Sequence, residues 1–111
     1  MTVTSKAIIP AKQAENVQTT QYLALNVTTI IDKFSVTNTN SVNVLFSVNI
    51  VTAFGVAGVD NRILGPRAIA PNETFTCPEL VGQTLGPGDF ISTLAGTATS
   101  LTIRASGREI T

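Results

Sequence analysis

The chain has no histidine, no tryptophan, one cysteine, one tyrosine and only 13% charged residues in 111. Without histidine the commonest general base and metal ligand is missing, so a serine triad has no base and Cys77 has no imidazole to activate it. One cysteine cannot form an intramolecular disulfide or, alone, a zinc site, so stability must come from packing. Cys77 follows Phe75 at strand spacing, which reads as a small buried hydrophobe.

Charge of either sign is scarce and balanced, with seven basic against seven acidic residues. No run of Lys or Arg offers an electrostatic footprint for nucleic acid or an anionic membrane. The acidic residues, Glu15, Asp32, Asp60, Glu73, Glu79, Asp89 and Glu109, fall mostly at expected turns and strand ends. Solvation and turn capping explain them better than a glycosidase pair does. Gly86-Pro87-Gly88 lacks the lysine and following helix of a phosphate loop, and Gly55 and Gly58 have no such context either. Phe34, Phe46, Phe75 and Phe90 fit buried strand positions, which leaves no stacking platform for single-stranded nucleic acid or sugar. The expectation is a protein that is not an enzyme and binds no cofactor or metal.

Long apolar runs are also absent. Ile8 and Ile9 are followed at once by Pro10, which suits neither a signal peptide nor the roughly 20 apolar residues of a membrane span. The expectation is a protein made in the cytoplasm that has no membrane partner.

What the chain does have is alternation. From Ser41 to Val51, residues Val42, Val44, Phe46, Val48 and Ile50 fall on one face, with Asn43, Ser47 and Asn49 between them. A period of two marks a β-strand with one buried and one wet face. The pattern returns where Leu101, Ile103 and Ala105 oppose Thr102, Arg104 and Ser106. Turn signals recur throughout, so about seven or eight short strands are expected. The predicted fold is all-β: a single antiparallel β-sandwich or jelly roll.

Two hairpins are predicted. The first joins 28–37 to 42–52 across Asn38-Thr39-Asn40-Ser41. The second joins 90–95 to 101–110 across 96–100. Ile30, Phe34 and Val36 are expected on the core face, with a bulge at Asp32. Gly65-Pro66 separates two short strands, 62–64 and 67–69, and places the region at a sheet edge. Residues 1–18 read as an N-terminal arm or edge segment and 19–111 as the sandwich domain. Within the arm, Pro10 to Val17 suits one or two helical turns. An arm that reaches a neighbour would be removable over 2–14 without unfolding the rest.

Three features are candidates for binding other proteins: Val3, Ile8, Ile9 and Pro10 of the arm; Phe54 and Val56 of the glycine-bearing loop; and Arg62, Arg67, Arg104 and Arg108. An exposed apolar ring invites docking, and arginine is enriched at interfaces. The plainer readings are an arm folded on its own sheet, a Phe54 that caps the sandwich, and arginines that serve solubility.

The stretches Ile30-Ile31-Asp32-Lys33-Phe34 to Thr37-Asn38, Ala70-Pro71-Asn72-Glu73-Thr74, and Gly88-Asp89-Phe90-Ile91-Ser92-Thr93-Leu94 with Leu101 to Ile110 resemble small virion structural proteins of tailed bacteriophages. Within that group the chain is most similar to the capsid decoration (cement or staple) proteins of short-tailed phages. The resemblance implies a small β-sandwich or jelly roll that forms a homo-oligomer, with a dimer favoured. It implies a location on the capsid surface, where the protein braces neighbouring copies of its partner, the major capsid protein. A head-to-tail adaptor and a host-surface or carbohydrate-binding module are the alternatives.

Overall fold

A computed structural model describes residues 1–111 as nine strands in two antiparallel sheets. The first sheet holds β1 (Val3–Gln13), β9 (Leu101–Ile110), β3 (Thr28–Asn38) and β6 (Thr74–Phe75) in that order, with β7 (Thr84–Leu85) also on β3. The second runs β2 (Thr19–Leu23), β8 (Phe90–Ala95), β4 (Val44–Val51), β5 (Arg62–Ile69). The pairs are nested: β4 with β5, β3 with β6 and β7, β2 with β8, and β1 with β9. A chain folded back on itself and then rolled gives this order, which is the jelly roll.

Phe34 of β3 and Phe46 of β4 meet across the two sheets with ring centroids 6.3 Å apart. Around them pack Ile9, Ile31, Val36, Val48, Ile69, Leu85, Ile91, Leu101 and Ile103, all buried. No buried side-chain oxygen or nitrogen lacks a hydrogen-bond partner.

The alternation is read correctly along β9 and in the middle of β4, where Val44, Phe46 and Val48 are buried. It fails at the ends of that run. Val42 lies before the strand and is exposed, whereas Val51 is buried and Ile50 only partly so. Ser47 and Asn49, expected to face water, are buried as well.

The expected bulge in β3 is present, because the β3–β9 register slips between Ile31 and Lys33 at Asp32. An extra residue reverses which side chains face inward. Thr29 and Ile31 therefore point to the core before the bulge, and Phe34 and Val36 after it. Ile30, expected in the core, is only half-buried.

Both predicted hairpins are overturned. β3 pairs with β9, β6 and β7, while β4 pairs with β8 and β5. The segments 39–43 and 96–100 therefore cross from one sheet to the other rather than closing ladders. The side chain of Asn38 directs the first crossing. Its amide donates to the carbonyls of Val42 and Ile69, each at 2.8 Å, and its oxygen accepts from the Asn40 N–H at 2.8 Å.

The helical turns expected over 10–17 are also absent, since β1 runs through Gln13 as an edge strand on β9. Its register slips between Lys6 and Ile9 and again between Ile9 and Lys12. The first irregularity lets two successive residues, Ile8 and Ile9, both face the core. The strand Arg62–Ile69 does lie at a sheet edge, with Gly65-Pro66 at a slip in its register against β4.

Candidate protein interface

The loops β2–β3 (24–27), β4–β5 (52–61) and β7–β8 (86–89) gather at one end of the sandwich. Asp89 binds the three together. One carboxylate oxygen accepts from the Ala53 N–H at 3.0 Å, the other from the Gly86 N–H at 2.8 Å. Its main-chain carbonyl accepts from the Ala24 N–H at 2.9 Å, and the Gly88 N–H donates back to Ala24 at 2.7 Å. Gly88 has φ +89°, and a Cβ there would lie 2.8 Å from that of Ala53. Only glycine fits this approach.

The β4–β5 loop is held from inside. The buried Asn49 amide donates to the Gly58 carbonyl at 2.8 Å and to Asn61 Oδ1 at 2.7 Å. Asn61 accepts from the Gly58 N–H at 3.0 Å and donates to the Val56 carbonyl at 2.8 Å. Thr52 and Gly55 close a tight turn at 2.8 Å.

On this fixed loop Phe54 is fully exposed, with Val56 81% and Val59 83% exposed. Phe54 sits at φ 66°, in the left-handed region that bulky side chains rarely adopt. Strain of this kind persists only where the surroundings enforce it, and it concentrates at functional positions. Beside the ring lies an apolar groove of about 460 Å³ lined by Leu23, Leu25, Ala53, Phe54, Pro87 and Phe90 among others. No charged side chain lines it.

The remaining candidates are scattered. Ile8 and Ile9 are spent on the chain's own core and are unavailable to a partner, while Val3 and Pro10 are exposed on the edge strand. Arg67 stacks over Phe75 at 3.8 Å and approaches Glu73 at 4.0 Å. Arg108 clasps Asp32 with contacts of 2.9 and 3.1 Å, which raises its pKa further. Lys6 and Lys12 pair with Glu109 and Glu15. That leaves Lys33, Arg62 and Arg104 outside any ion pair. Lys33 and Arg104 share a polar depression with Ser35 and Ser106 on the outer face of the first sheet.

Cys77 is fully buried, and burial pushes its thiol pKa up to about 12. A protonated, enclosed thiol is a poor nucleophile.

Sequence reasoning found Phe54 and Val56 but missed Leu23, Leu25, Val59, Asn49, Asn61 and Asp89. Asp89 read as an ordinary turn acid, and its only signal was its place directly after Gly86-Pro87-Gly88.

The fold matches part of a chain in the structure of infectious bursal disease virus, Gx strain, with a TM-score of 0.53 and 13% sequence identity. The match covers 98% of this chain and 33% of that one, so this chain spans about a third of its length. Likeness at this identity establishes the architecture alone. No protein family and no curated protein matches the sequence.

Proposed function

We propose that the protein is a non-enzymatic virion structural protein of a tailed bacteriophage. In this reading it binds the outside of the capsid and braces neighbouring major capsid protein subunits. The observation that carries a docking role is the strained, fully exposed Phe54 on a loop that Asn49, Asn61 and Asp89 hold in place. Presenting an apolar ring to water yields nothing within the chain, whereas a pre-formed loop loses little entropy when a partner covers it. The fold, shared with part of a chain in a virus structure, and the sequence's resemblance to decoration proteins both favour a virion partner. Lys33 and Arg104, free of acidic partners on the sheet face, supply a second surface suited to an acidic patch on the shell.

The test is to mix the purified chain with capsids that lack it and sediment the particles. Saturable co-sedimentation at hundreds of copies per shell supports the decoration reading. Binding confined to a single ring at the portal would indicate the head-to-tail adaptor instead, and binding only to saccharides a carbohydrate module.

A further inference from the structure

We infer that the polar depression on the outer face of the first sheet receives one carboxylate group of a partner protein. An Asp or Glu side chain of that partner would lie between Lys33 and Arg104, with Ser35 and Ser106 donating across it. This rests on the reading of the chain as one that docks on a protein shell, and it names the chemistry that the sheet face grips.

The strand register builds the site. Lys33 stands opposite Ser106, and Ser35 opposite Arg104. Phe34 and Ala105, between them on each strand, are buried, so all four side chains face outward. The two cations occupy one diagonal of this square and the two hydroxyls the other. Diagonal neighbours stand about 7–8 Å apart on the backbone, a gap that a single oxyanion can bridge. Serines leave space where longer residues would fill it, and the depression holds about 230 Å³. Liquid water takes ~30 Å³ per molecule, so a carboxylate enters with part of its hydration shell.

The charges favour an anion here. No acidic side chain lines the depression, and neither Lys33 nor Arg104 is in an ion pair. The bulge in β3 explains why. Asp32 and Lys33 are both exposed there, and Arg108 takes Asp32 through two nitrogens at 2.9 and 3.1 Å. The neighbouring acid is thereby spent, and two like charges remain close together. Such charges repel, and an anion between them removes the repulsion.

The site suits one charged group rather than a chain of them. A nucleic acid strand needs a track of free cations and exposed rings. Here Arg108, next on this face of β9 after Ser106, is already paired. An anionic bilayer is held by clusters of about 4–8 basic residues, and this depression has two. A carboxylate fits because the Arg104 fork can meet it with two parallel hydrogen bonds.

The test is an NMR titration of the isotope-labelled full chain with a capped peptide of alternating Asp and Gly. Its Asn counterpart and inorganic phosphate are titrated alongside. Saturable shifts confined to the amides around Lys33, Ser35, Arg104 and Ser106 are expected with the Asp peptide and absent with the Asn one. Lys33→Gln combined with Arg104→Gln should lower that affinity ~10-fold or more. Arg104→Lys keeps the charge but loses the fork, and should lower it less. Unchanged amide spectra elsewhere in the chain verify that each variant is folded.

Equal responses to the Asp and Asn peptides overturn the inference, as do shifts shared with Lys6 and Lys12 or a double variant that binds as well as the wild type. Phosphate binding in the depression without binding of the Asp peptide also overturns it, and marks a phosphate site instead. Co-sedimentation with shells separates the two readings. A double variant that coats shells normally, together with failed peptide binding, would sink the carboxylate site and leave the virion role standing. A chain that takes the Asp peptide but no shell would do the reverse.

Discussion

The side-chain amide of Asn38, at the end of β3, donates to the carbonyl of Ile69 in β5 at 2.8 Å, joining one sheet to the other. A second donation to Val42 and an acceptance from Asn40 complete its bonding. Asn38→Ala removes all three of these hydrogen bonds from a largely buried site. The expected loss is ~3 kcal/mol, a large share of the roughly 5–15 kcal/mol that holds a domain together. Urea unfolding should show a lower midpoint with an unchanged slope. A loss below about 0.5 kcal/mol would mean the crossing is held by something else.

Tyr22, the only tyrosine, offers a clean titration. Its hydroxyl contacts Thr29 at 2.6 Å and donates to Glu109, tying β2 to β3 and β9. Burial, reinforced by the Glu109 carboxylate, lifts its pKa from 10.0 to about 12. A raised pKa means the neutral phenol is favoured in the fold. Its contribution is intact below the unfolded value and is lost as pH rises from there through about 12. Phenolate absorbance should therefore appear near pH 12 in the native protein and near its ordinary value in urea, while Glu109→Gln should lower the native midpoint only part of the way, because burial remains. A native midpoint near 10 would contradict the latch.

The same contact acts in the opposite sense at acid pH. Donation from Tyr22, helped by Lys6, lowers the Glu109 pKa. Its contribution holds above the ordinary carboxylate value and fades as pH falls through the depressed one. The Glu109→Gln variant should show a flatter acid limb in its stability–pH curve than the wild type.

Asp89→Ala should loosen the tip while leaving most of the sandwich intact. Its carboxylate is the acceptor for Ala53 and Gly86, so those two amides should lose hydrogen-exchange protection while those of β9 keep theirs. A stability cost of ~1–3 kcal/mol is expected. Unaltered protection at Ala53 would show that the loops hold themselves in place.

Deleting residues 2–14 should unfold the protein. β1 lies along β9, and Ile8, Ile9 and Ala14 belong to the core. A truncated chain with native circular dichroism and a cooperative melt would restore the separable arm read from the sequence.

Much of this architecture is visible in the order of residues. Alternation announces β9 and the middle of β4, Asp32 interrupts its face where the bulge falls, and Gly65-Pro66 marks an edge strand. Strand pairing is not visible, because a short polar segment can close a hairpin or arch between sheets. The choice at 39–43 falls to Asn38 finding Ile69, thirty-one positions away. β1 is missed for a related reason: its irregular register hides the period-two signal, and its partner stands at the other end of the chain. At the tip the apolar loop is legible, but the groove is assembled from three loops distant in sequence.

The most direct measurement is a density map of the assembled particle carrying this protein. The expected result is sandwiches of this protein outside the shell, repeated at hundreds of positions. A shell whose outer surface is bare of the protein would contradict it.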